Sequence, residues 1–272
     1  MASIRRHPLV NNEIYHICCR GVEKRDIFLD KGDYLRFIHD LYEFNDIENV
    51  PSSNIRLNKR KPSTANSFDF EACLDLRGPN IEKNKKEKKP IVEILAYCAM
   101  PNHFHLMIRQ LVDGGVTKFM RKLNGGYVKY FNLKYDRVGP LFQGKFKSIL
   151  VNTDSHFYYL PIYIHFNPLD LKFPEWRKGF IEDNEESLRY LKGYRWSSFQ
   201  DYIGQKNFPS IIKKDFLETS LGNPDKYRKS MIEWLKNLKE NYKKGQKQIK
   251  QKEQKTTEAP FDLMNYEGLL LE

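Results

Sequence analysis

His103 and His105 stand one residue apart in the run Tyr97-Cys98-Ala99-Met100-Pro101-Asn102-His103-Phe104-His105-Leu106-Met107-Ile108-Arg109. On a strand, side chains alternate between faces, so both imidazoles share one side while Phe104, Leu106 and Ile108 share the other and can be buried. Two imidazoles held together on rigid backbone suit a divalent ion that still lacks ligands. The pair alone fits two ordinary strand histidines equally well. A second segment, Tyr163-Ile164-His165-Phe166-Asn167-Pro168, tips the balance. Tyr163 and Asn167 are four residues apart and lie on one face of a helix. The Asn167 oxygen can complete a His-His-amide site for Mg²⁺ or Mn²⁺ within reach of the Tyr163 phenol. An ion so held orients a phosphodiester for in-line attack, with the phenolate as nucleophile and a covalent phosphotyrosine as intermediate. A free tyrosine has a pKa near ~10, so its deprotonation needs help from the ion or from basic neighbours.

These residues need elements to hold them. Residues 13–20 (EIYHICCR) alternate and are rich in β formers, which predicts a first strand closed by Gly21. Residues 31–45 carry Tyr34, Leu35, Phe37, Ile38, Leu41 and Tyr42 at helical spacing, with Asp33 near the start. Residues 46–89 break pattern and end in a basic run at 83–89, which reads as a partly disordered insertion. Residues 92–100 are almost continuously apolar, as in a strand buried on both faces, and Pro101-Asn102 turns the chain into the histidine strand. Val116, Phe119, Met120, Leu123, Tyr127, Tyr130 and Phe131 mark an amphipathic helix containing Gly125-Gly126, a pair that weakens it or permits close approach. Residues 141–151 predict a strand bearing Lys145 and Lys147, and residues 154–167 a last short helix ended by Pro168. Strand, helix, strand, strand, helix, strand, helix is a split βαβ order. The expected class is therefore α+β: a ferredoxin-like (RRM-like) antiparallel sheet with an added helix carrying Tyr163. The catalytic domain is expected over 1–185, a small helical extension over 186–238 and a basic tail over 239–272.

Charge and composition narrow the partners. The chain has 272 residues with 46 Lys and Arg against 35 Asp and Glu, a formal charge of +11. Such an excess favours nucleic acid first and an anionic membrane surface second. No apolar run approaches the ~20 residues of a membrane span. The first eight residues are basic without an apolar stretch behind them, so no signal peptide is visible and a cytoplasmic, nucleoid-associated protein is expected. Cys18, Cys19, Cys73 and Cys98 have no metal-type spacing and read as reduced thiols.

Taken together, AYCAMPNHFHLMIRQ, LFQGKFKSIL, YIHFNP and YRWSSF resemble the REP-associated tyrosine transposases, the single-tyrosine branch of the HUH endonuclease superfamily. The resemblance runs from about residue 14 to 203, apart from the insertion. It implies a domain that cleaves single-stranded DNA, forms a 5′-phosphotyrosine, leaves a 3′-OH and rejoins ends by attack of a 3′-OH on that link. It implies His103, His105 and Asn167 as ligands of Mg²⁺ or Mn²⁺, Tyr163 as nucleophile, and hairpin DNA as partner, with a homodimer left open. Pro161 departs from expectation, since it should kink or break the helix just ahead of Tyr163.

Alternatives stand beside this reading. Tyr159, one turn earlier, competes as nucleophile, while Tyr158 and His165 suit packing or support. Lys145 and Lys147, with Arg20, Lys24 and Arg25 after the first strand, are candidate phosphate contacts or merely solvated charge. The runs at 83–89 and 239–255 read as solvated charge that can add salt-sensitive attraction to nucleic acid. Trp196 and Phe199 read as an anchor for the C-terminal helices. A non-catalytic binder that stacks bases on the same sheet is the competing function. A two-histidine phosphodiesterase is a third, but no second H-x-H is present.

Overall fold

The computed structural model describes residues 7–48, 88–178 and 183–253. Most of the expected insertion at 46–89, its basic run at 83–87, Cys73 and the end of the basic tail lie outside the described residues.

The sheet comprises β1 (Ile14–Arg20), β2 (Val92–Met100), β3 (His103–Gln110) and β4 (Lys147–Leu150) in the order β2-β3-β1-β4. Every neighbouring pair is antiparallel. With α1 (Lys31–Glu43) after β1 and α2 (Gly115–Lys134) after β3, this is the ferredoxin-like α+β arrangement. Parity divides the sheet: Phe104, Leu106 and Ile108 of β3 and Tyr15, Ile17 and Cys19 of β1 are buried under α1 and α2. Phe37 of α1, for instance, meets Phe104 at 4.7 Å. Gly126 of α2 sits where the Phe44 ring would clash with any Cβ, 2.4 Å away, so this glycine of the pair serves close approach, while Gly125 faces open space. At the far end of α2, Lys134 reaches Asp30 and the buried Asp33, tying α2 to the capping box that starts α1.

α3 (Asp154–Phe166) covers the opposite face. Thr153 caps it by accepting a hydrogen bond from the His156 N–H. Pro161, expected to kink or break the helix, instead sits inside an unbroken one. Residues 160–169 are all buried, and that enclosure outweighs the single backbone hydrogen bond that proline removes. Asn167 follows α3 directly and opens a 3-10 turn, Asn167–Leu171.

The strand expected over 141–151 is shorter. Gly144 takes φ 70, and residues 141–146 loop across the end of β1, with Val22 N–H donating to Leu141 O and Gln143 N–H to Arg20 O. A left-handed glycine ends pairing there and leaves four residues of β4.

The C-terminal part adds α4 (Asn184–Gly193), α5 (Phe199–Tyr202), α6 (Lys214–Leu221) and α7 (Pro224–Glu253). It protects the free edge of β2: Ala99 N–H donates to Trp196 O, Ser198 N–H to Tyr97 O, and Tyr97 N–H to Ser198 Oγ. It also closes over α3, where Trp234 of α7 meets Phe166 at 5.4 Å and Tyr159 at 5.5 Å. His165 joins the two regions, one ring nitrogen bonded to Ser198 Oγ at 2.8 Å and the other to Tyr227 Oη at 2.7 Å. No helix among the described residues is long and apolar enough to cross a membrane.

Burial pushes the pKa of His165 down from 6.5 to about 3, so it folds neutral. The unfolded chain therefore takes the proton first, and stability falls as pH drops below about 6.5, by up to ~1.4 kcal/mol per pH unit per histidine. His165→Leu is expected to cost about 1–3 kcal/mol at pH 7, because the Tyr227 hydroxyl loses its partner. It should also remove up to one proton from the slope between pH 4.5 and 6. Urea unfolding across that pH range in EDTA measures both.

Candidate active site

β3 places His103 and His105 on the face that α3 covers, and the register sets Arg20 opposite His103 and Cys18 opposite His105. Each imidazole has one nitrogen engaged. His103 Nδ1 is 2.6 Å from Asn102 Oδ1, and His105 Nδ1 is 2.8 Å from Nε2 of His16 on β1. The Nε2 atoms are left for other work. Burial, aided by the Arg20 charge, holds His103 near a pKa of about 4; burial and the neighbouring His103 put His105 well below its usual value. Both are neutral near pH 7, the state in which an imidazole can ligate a cation.

α3 delivers the other two groups. The Tyr163 ring lies edge-on to His105 at 5.6 Å and to His16 at 5.9 Å. The Asn167 side chain donates from Nδ2 to the Tyr163 carbonyl at 2.8 Å, one helical turn back. That bond fixes the amide orientation and turns Oδ1 away from the Tyr163 carbonyl, and the side chain lies within hydrogen-bond reach of His103. Two neutral imidazoles and one amide oxygen converge here, a donor set that fits a divalent cation with positions left open for oxygen ligands. Among the described residues, no cluster of three or more His, Cys, Asp or Glu side chains adds to it. Burial pushes the Tyr163 phenol up from its ordinary value, while the adjacent Arg177 guanidinium pulls it back.

Of the sequence candidates, His103, His105, Tyr163 and Asn167 come together. The ring contacts of Tyr159 run to Tyr163 and Trp234, and Tyr158 is exposed. Arg20, Lys24, Lys145 and Lys147 line one groove of about 400 Å³ that opens beside His105, together with Gln143 and Gly144. Arg25 is the exception. Glu23 and Lys24 both take left-handed backbone, φ 57 and 58, and the reversal leaves Arg25 outside the groove, paired with Glu23 at 3.1 Å.

Three residues escaped the sequence reading. Arg177, in the 3-10 turn Pro174–Lys178, lies with Cζ 5.2 Å from the Tyr163 ring centre and Nη2 3.5 Å from Asn167 Oδ1. Asp170 grips it through both carboxylate oxygens, at 3.1 and 2.9 Å. No motif or periodicity marks this pair. His16 was readable only as one alternating residue of a strand; sharing parity with Cys18 and Arg20 was its sole visible signal.

Residues 80–166 match the family model described as "Transposase IS200 like". That segment spans β2 through α3 and contains both histidines and Tyr163, so the likeness to IS200-like transposases falls on the part of the chain that carries the site. No curated protein matches. Among solved structures, the chain is similar to one described as "Structure of the REP associates tyrosine transposase bound to a REP hairpin", at 12% identity and a TM-score of 0.41, over 78% of this chain and 90% of that one.

Because the histidines are held neutral far below pH 6.5, protons should compete weakly for this donor set. Mn²⁺ affinity, followed by the EPR signal of free Mn²⁺, should stay level from pH 8 to 5 and fall only as pH approaches about 4. A tenfold loss between pH 7 and 5.5 would mean that the imidazoles titrate as exposed ones.

Proposed function

We propose that this protein is a metal-dependent single-stranded DNA endonuclease and strand transferase, a transposase that cuts through a covalent 5′-phosphotyrosine on Tyr163. The observation that carries the reading is the position of the Tyr163 ring, 5.6 Å from His105 and 5.2 Å from the Arg177 guanidinium, on the same helix face as Asn167. A Mg²⁺ or Mn²⁺ ion held by His103, His105 and Asn167 would withdraw charge from the non-bridging oxygens of the scissile phosphate.

The chain's own groups account for the rest. The Tyr163 phenol releases its proton as its oxygen attacks phosphorus, the bond to the 3′ oxygen breaks, and that oxygen takes up a proton and leaves as a 3′-OH, so no net proton is gained or lost. Arg177, held by Asp170, lies where it can stabilise the phenolate both as attacking group and as leaving group. Rejoining is the reverse: a 3′-OH attacks the phosphotyrosine and the tyrosine oxygen departs. The groove lined by Arg20, Lys24, Lys145 and Lys147 gives the strand a cationic track next to His105. The competing reading, a non-catalytic binder stacking bases on the open sheet, finds that face occupied by α3.

Incubation with single-stranded hairpin DNA and Mn²⁺ should yield a protein–DNA adduct that survives SDS. Tyr163→Phe should abolish it and Tyr159→Phe should retain it. His103→Ala should abolish cleavage while hairpin binding stays within a few-fold; binding lost in parallel would assign the histidines to the fold instead. Binding without any adduct in the unaltered protein would favour the non-catalytic binder.

The groove makes a separate prediction. Lys145→Ala and Lys147→Ala should each weaken binding to unrelated single strands similarly and lower the slope of log K against log salt by about 1, in filter-binding titrations. An unchanged slope would return these lysines to ordinary solvated charge.

A further inference from the structure

We infer that His16 is a positioning residue: it accepts a hydrogen bond from His105 Nδ1–H and so keeps the lone pair of His105 on Nε2, available to an ion. This inference rests on the ion-binding reading of His103 and His105.

A neutral imidazole has one N–H and one lone pair, so a 2.8 Å contact between His16 Nε2 and His105 Nδ1 allows two tautomer pairs. If His16 donates, His105 carries its hydrogen on Nε2 and cannot ligate there. If His105 donates, its Nε2 lone pair is free and the hydrogen of His16 moves to Nδ1. Metal-bound histidines usually donate their second nitrogen to a carboxylate or a carbonyl, groups that can only accept. His16 occupies that place but is able to do either.

Its surroundings hold it there. His16 sits two register positions from His105, opposite Met107, with the two rings nearly parallel, 20° apart and 5.0 Å between centres. The Tyr163 ring closes the site edge-on. His16 is 2% exposed, and its Nδ1 is buried without a hydrogen-bond partner among the described residues. The remaining atom of the ring is therefore satisfied in neither tautomer. Neither arrangement is enforced by a third group, and an ion on His105 Nε2 selects the one in which His105 donates. His16 also lies outside the segment 80–166 that matches the transposase family model, so β1 contributes this support from beyond the matched segment.

The test uses the full chain with His16→Phe and His16→Gln, whose amide oxygen is able to accept the same hydrogen bond. Mn²⁺ affinity is read by EPR, folding by circular dichroism, and the His105 tautomer by ¹⁵N spectra of the Mg²⁺-loaded protein. His16→Phe should lower Mn²⁺ affinity about 10–100-fold, the usual cost of losing such a partner, and His16→Gln should restore most of it. The spectra of the unaltered protein should show His105 protonated on Nδ1. A hydrogen on His105 Nε2 with the ion bound would overturn the inference, and this needs no variant to fold. Equal Mn²⁺ affinity in wild type and His16→Phe would overturn it while leaving the ion site standing. No Mn²⁺ binding by the wild type would overturn the ion site and the inference with it.

Discussion

The enclosure of one helix governs this molecule. From Leu160 onward α3 is buried on every side, a pattern that suits an interior helix rather than an amphipathic one. One side lies on β2 and β3, and the other needs a cover that the four-stranded sheet cannot supply. The C-terminal helices supply it, with Trp234, Trp176 and Tyr227 set around Phe166 and His165. At roughly 25 cal/mol per Å² of apolar surface, each such aromatic contributes on the order of a few kcal/mol. Loss of that cover would leave Tyr163 and Asn167 on a helix with no reason to stay against the histidine strand. The extension is therefore part of what builds the site.

Burial also sets the electrostatics. Four histidines, His16, His103, His105 and His165, are pressed towards their neutral forms by desolvation. For His103 and His105 the neutral form is the one that the proposed ion binding requires. The phenol of Tyr163 suffers the same desolvation, which works against the anion that the proposed attack requires. Arg177 offsets that cost at close range. The Asp170 carboxylate in turn holds the guanidinium in a two-point grip, a geometry that a lysine could not reproduce.

Much of this was legible in the chain. The alternation in β1 and β3, the apolar run of β2 and the 3.6-residue stripe of α2 are local signals, and the ferredoxin-like order follows from them. The i, i+4 relation of Tyr163 to Asn167 is likewise local. The misses share one cause, which is that tertiary surroundings decide them. Pro161 was expected to kink or break a helix because the cost of a missing N–H is local, whereas the packing that outweighs it comes from other elements, β2, β3 and the C-terminal helices. The 141–151 strand was overextended because Gly144 had no visible reason to turn left-handed until the loop was seen crossing Arg20. Arg25 was grouped with Lys24 on sequence proximity, and two left-handed residues separate them. His16 and Arg177 had no motif at all; their roles depend on strand register and on where a 3-10 turn lands.

The covered sheet face has a consequence for how a strand could approach. In an RRM the bases lie across the exposed sheet, which requires that face to be open. Here α3 packs on β2 and β3, and the groove beside His105 is lined by residues of β1, of β4 and of the loop between Phe142 and Lys145. The end of β1 is where Arg20 stands opposite His103 and where the 141–146 loop crosses. The cationic groove opens there, with Lys24 from one turn and Lys145 and Lys147 from the other side. Cation placement and the packing of α3 thus favour the same side of the sheet.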